Sequence, residues 1–77
     1  MYSVRILKPA VKDLERLDPS VAGRIADRIS WLAENLESTK LHPLKGELSG
    51  LYKLRDSSYR VIFEILRNEH IIIVHSI

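Results

Sequence analysis

Cysteine is absent from this 77-residue chain, which removes any disulfide framework, thiolate nucleophile or cysteine-based zinc site. Histidine is sparse, and His42, His70 and His75 are too scattered to form a recognisable zinc-ligand spacing. No apolar run approaches the roughly 18 residues of a spanning helix. The opening MYSVRILKP lacks an apolar core followed by a small-residue cleavage site. A cytoplasmic location is therefore expected, with no membrane contact, no metal and no small-molecule cofactor. The length leaves room for one domain, residues 1–77. So short a chain buries only about 60% of the surface its unfolded form exposes, which implies a modest stability of ~5 kcal/mol and leaves room for a tightly bound partner.

What is present is the balance of a soluble globular domain, with 45% apolar and 29% charged residues. The net charge is only +2, although the sequence pI is about 9.2, so distribution matters more than the total. Between Lys45 and Arg60, Lys45, Lys53, Arg55 and Arg60 face only Glu47 and Asp56.

Residues 2–7 alternate in part and carry β-branched and aromatic side chains, which predicts a strand ending before Pro9. Ala10, Leu14 and Leu17 recur at spacings of four and three, placing them on one face of a short helix with Lys12, Asp13 and Arg16 turned away. Asp18-Pro19 reads as an N-cap and first-turn pair opening a second helix that runs to about Leu36. Along it Val21, Ile25, Ile29, Leu32 and Leu36 fall in one arc, widened by Ala22, Ala26 and Ala33. Residues 37–50 have a loop composition. Strands follow at 51–55 and 59–66, joined by a tight turn at Asp56, Ser57 and Ser58, and an apolar strand at 70–77 follows a turn at 67–69. The expected fold class is α+β in the order β-α-α-β-β-β, a helical hairpin on a mostly antiparallel four-stranded sheet.

Strand alternation puts Lys53 and Arg55 on one side and Tyr52 and Leu54 on the other. With Arg60 on the same side across the hairpin, three cations converge on an area about the width of a phosphate, given strands roughly 5 Å apart. Guanidinium groups are suited to holding phosphate bidentately. The bland reading is of solvated charges on an open sheet face, paired with Glu64 or Glu47.

The stretch Leu51-Tyr-Lys-Leu-Arg-Asp-Ser-Ser-Tyr-Arg-Val-Ile-Phe-Glu-Ile65 closely resembles the central hairpin of RelE/ParE toxins. The first strand, the spacing of Ala10, Leu14 and Leu17, the Pro-Leu-x-Gly turn at Pro43 to Gly46 and the closing apolar strand are also similar to that family, so the resemblance covers essentially the whole chain. Each motif alone is weak, and order and spacing together carry the match. The resemblance implies the toxin of a type II toxin-antitoxin system, a metal-independent endonuclease acting on mRNA on the ribosome and held by a cognate antitoxin. In it, Arg60 stabilises charge on the scissile phosphate while Lys53 and Arg55 position the RNA or assist proton transfer, with Lys45 as a further RNA contact. The implied reaction is attack of a ribose 2′-hydroxyl on its own 3′-phosphate, giving a cyclic phosphate and a 5′-hydroxyl. Relatives usually continue with Gly-His-Arg and a tyrosine, groups implicated in catalysis, whereas this sequence ends at His75-Ser-Ile77; the domain is expected to lack the family's C-terminal segment here, through truncation, disorder of the tail or loss of that part of the machinery. His75 is not that motif's histidine and reads as structural or solvated.

Two alternatives accompany this reading: a ParE-like toxin that poisons DNA gyrase without nuclease activity, and an inactive antitoxin-binding relative. Trp31 lies off the apolar arc, either as a partner anchor or packed under the long loop, with packing favoured. Tyr52 and Tyr59 share strand parity with Leu54 and Val61, which favours the core over base stacking.

Overall fold

The two periodicities in the chain, near 3.6 and 2.0, separate into helices and strands in a computed structural model that describes residues 1–77. Strand β1 spans Ser3–Ile6, helix α1 Lys8–Arg16, helix α2 Pro19–Asn35, strand β2 His42–Pro43, β3 Tyr52–Asp56, β4 Tyr59–Leu66 and β5 Ile71–Ser76. The sheet order is β1-β5-β4-β3-β2. Strand β1 pairs in parallel with β5, while the other three pairings are antiparallel. No helix is long and apolar enough to cross a membrane.

The sheet has five strands rather than the four expected. The addition is β2, two residues inside the stretch read as loop, where His42 pairs with Lys53 and Pro43 with Tyr52. Proline has no N–H to give the ladder and is tolerated on an edge, which is where β2 lies. The β3–β4 turn is also tighter than expected. Asp56 pairs with Tyr59, leaving only Ser57 and Ser58 in the turn, with Ser57 at φ 56°.

Helix α2 buries Ile25, Ile29, Leu32 and Ala33, and Leu36 is buried just beyond its end. Ala26, assigned to the same arc, is exposed. Asp18 occupies the N-cap, but its side chain makes no capping hydrogen bond. The helical residues meet Leu54, Val61, Phe63, Ile72 and Val74, which are alternate positions on β3, β4 and β5, and Ala10 of α1 closes the core. Tyr52 stacks on Phe63 with ring centroids 5.8 Å apart, and both Tyr52 and Tyr59 pack against the core. Burying a side chain the size of Phe63 is worth about 1.5–3 kcal/mol, so these contacts supply much of what holds the layers together.

Because α1 and α2 cover one side of the sheet, the intervening residues of β3, β4 and β5 turn to the other. That uncovered side carries Lys53, Arg55, Arg60, Ile62, Glu64 and Ile73 in register.

Candidate nucleic-acid interface

In the β3–β4 ladder Arg55 stands directly opposite Arg60, and Lys53 stands opposite Ile62 one same-face step away. Opposed residues of an antiparallel pair share a face with Cβ atoms about 4.5–5.5 Å apart, so the two-residue turn holds both guanidinium stems side by side. The three cations come together as expected. With Ser58 and Tyr59 they line a recess of about 190 Å³.

None of the three is neutralised by a carboxylate. The ion pairs of the molecule are Arg24–Asp56 and Arg67–Glu37, each at 3.4 Å, and His75–Glu64 at 2.9 Å. Asp56 belongs to the helix side of the sheet and is taken by Arg24. Glu64, a partner in the bland reading, is taken by His75, and Glu47 forms no ion pair. Arg55 donates from Nε to the carbonyl of Ser57 at 3.4 Å, its sole side-chain hydrogen bond. Like charges directly opposite each other destabilise a sheet, so Arg55 held against Arg60 without a counter-charge is an arrangement that an anion on this face would relieve.

Lys45, expected to contact RNA, does not line this recess. It precedes the short 3-10 turn Gly46–Leu48 and is exposed there. Gly46 opens that turn and Gly50 follows it, at φ 69° and 97°, backbone conformations that favour glycine and fix the loop's path. His42, which does not line the recess either, stands beside it unforeseen. Its pairing with Lys53 puts it on the uncovered face, but a two-residue strand leaves no period from which to read this.

A larger cleft of about 640 Å³ lies at the far end of the sheet, where Tyr2, Glu37, Arg67 and His70 meet. Its arginine is neutralised: Glu37 accepts from the Tyr2 hydroxyl at 3.1 Å and from Arg67 at 3.4 Å, while Glu34 forms no ion pair. Size favours this cleft, but the clustering of three unpaired cations favours the smaller recess. Trp31 is 40% exposed with the Arg28 guanidinium 4.5 Å from its ring centroid, so it is not packed away as favoured above.

Two helices on one face of a five-stranded sheet, with unpaired cations on the other, define a two-layer α+β domain with a basic open face. Residues 4–76 match the family model described as ParE toxin of type II toxin-antitoxin system, parDE. Toxin RelE of Mycobacterium tuberculosis (strain ATCC 25618 / H37Rv) is 31% identical over 69 residues, covering 90% of this chain and 71% of that protein. Among solved structures, the toxin-antitoxin complex RelBE2 from the same organism contains a chain that superposes with a TM-score of 0.87 at 24% identity, covering 97% of this chain and 93% of that one. The isolated E. coli RelE toxin gives 0.73 at 24% identity, covering 99% and 81%. The chain belongs to the RelE/ParE superfamily, the toxins of type II toxin-antitoxin systems, and is RelE-like.

Proposed function

We propose that this protein is an endoribonuclease toxin that cleaves mRNA on the ribosome and is held in check by a cognate antitoxin. The observation that carries the reading is the unneutralised cluster of Arg55, Arg60 and Lys53 on one open sheet face. A phosphodiester attacked by its own 2′-hydroxyl gains negative charge in the transition state. Fixed cations that lose no solvation as that charge develops stabilise it more than they stabilise the ground state. Arg60 is assigned to the scissile phosphate; Lys53 and Arg55 position the backbone on either side. Lys45, outside the recess, is assigned a distal RNA contact. The antitoxin assignment draws on the RelBE2 structure, whose toxin is the fold's counterpart here. A short, modestly stable domain with an uncovered face suits a partner that folds as it binds.

Primer extension on translating ribosomes tests the proposal: new 5′ ends inside the coding region that vanish in Arg60→Ala are expected. Full cleavage by Arg60→Ala would remove it. A second reading, a gyrase-poisoning toxin, is favoured by the match to a ParE model. Loss of plasmid supercoiling without mRNA cleavage would select it.

A further inference from the structure

We infer that Ser58 is a phosphorylation site, and that a phosphate carried there is clamped by Arg55, Arg60 and Lys53 and closes the recess to RNA. The closure rests on the RNA reading proposed above; the clamp does not.

Two hydroxyl side chains line the recess, those of Ser58 and Tyr59. Tyr59 is half-buried with its ring packed against the core, so presenting it to a modifying enzyme would cost core contacts. Ser58 is exposed, and its hydroxyl makes no hydrogen bond within the protein. Because Asp56 pairs with Tyr59, Ser58 occupies the second position of a two-residue turn. An exposed turn tip is the part of a hairpin that an enzyme reaches without disturbing the ladder. Arg55 stands three residues before it, a local basic pattern of the kind by which protein kinases choose substrates.

A phosphoserine carries about −1.5 to −2 charges at pH 7 and three strong acceptor oxygens. The recess offers the complement. Arg55 uses only Nε, toward the Ser57 carbonyl at 3.4 Å, which leaves both of its terminal nitrogens unbonded, and neither Arg60 nor Lys53 has a carboxylate partner. Guanidinium forks hold phosphate oxygens bidentately. The carboxylate next in sequence, Asp56, lies on the helix side of the sheet and is engaged by Arg24 at 3.4 Å, so its repulsion is blunted. A recess of about 190 Å³ has room for the group. Attached to a residue that itself lines the recess, the phosphate is present at millimolar effective concentration and competes directly with an RNA phosphate for the same cations. Ser57 supplies the contrast: it is the adjoining residue and also exposed, but it does not line the recess.

In the step, the donor is a nucleoside triphosphate and the catalyst a protein kinase. The Ser58 Oγ bonds to the γ-phosphorus as the bond from that phosphorus to the β,γ-bridging oxygen breaks. The nucleoside diphosphate leaves with that electron pair, and the hydroxyl proton passes to the kinase's base.

The 77-residue chain is short enough for total chemical synthesis, with phosphoserine placed at Ser58 or, as the control, at Ser57. In phosphorus NMR titrations the second proton of the phosphate on Ser58 is expected to leave at a pH about one unit lower than that on Ser57, because neighbouring cations favour the dianion. Equal titrations overturn the clamp. Binding to a single-stranded RNA made uncleavable by 2′-deoxy substitution is expected to be at least about tenfold weaker with phosphate on Ser58 than on Ser57. Equal affinities overturn the closure. Should the unmodified chain bind no RNA, the RNA reading falls while the titrations still judge the clamp. Mass spectrometry of the chain recovered from its own cells, growing and growth-arrested, is expected to find phosphate on Ser58. Its absence in both states overturns the assignment of the site.

Discussion

Neutralising Arg60 should stabilise the folded protein while disabling it. In the ladder Arg55 faces Arg60, Lys53 lies one same-face step away, and no carboxylate pairs with any of them. Two exposed unit charges about 7 Å apart in water repel by roughly 0.6 kcal/mol, and the more distant Lys53 adds a few tenths. Arg60→Gln keeps a polar, solvated side chain on an exposed position, so little packing is lost. A gain of about 0.5–1 kcal/mol is expected at ~10 mM salt, where the screening length is roughly 30 Å. It should vanish near 1 M, where that length is about 3 Å. For a domain of this size such a gain raises Tm by about 2–8 °C. Urea titration at both salt concentrations measures it without adding ions. A loss of more than about 1 kcal/mol at low salt, or a gain indifferent to salt, would show that Arg60 is held in an attractive contact and refute the unpaired-cation account.

Two further substitutions probe the scaffold. Ser57 sits at φ 56°, a left-handed conformation that glycine adopts without steric cost, so Ser57→Gly should stabilise the hairpin by up to about 1 kcal/mol, read as a higher melting temperature. Phe63 is 1% exposed and stacked on Tyr52, so Phe63→Ala should cost about 3–5 kcal/mol. Against a total of ~5 kcal/mol, a substantial unfolded population by circular dichroism at 37 °C is expected.

The parts of this fold that sequence discloses are those governed by local period. The arc of Ile25, Ile29, Leu32 and Leu36 and the alternation of Leu54, Val61 and Phe63 against Lys53, Arg55 and Arg60 each follow from residues a few positions apart. The cationic cluster was legible for the same reason, because a tight hairpin makes its cross-strand contact local. What stayed hidden depends on distant pairing. The parallel partnership of β1 with β5 joins residues nearly seventy positions apart, and two residues of β2 cannot display alternation. Glu64 and His75 meet only because a bulge shifts the β4–β5 register, and no local pattern announces a bulge without a glycine. His75 thus read as an ordinary strand-end residue. Trp31 was misjudged on burial statistics, whereas its ring is covered by Arg28 on its own helix.

The central claim, that Lys53, Arg55 and Arg60 act together on one RNA backbone, is tested most directly by the salt dependence of binding to a single-stranded RNA made uncleavable by 2′-deoxy substitution. Three phosphate contacts predict a slope of log K against log salt near −2, from about −0.7 per contact, becoming shallower by about 0.7 in Arg60→Gln and again in Arg55→Gln with Arg60→Gln. A slope that these substitutions leave unchanged would place the RNA elsewhere on the molecule.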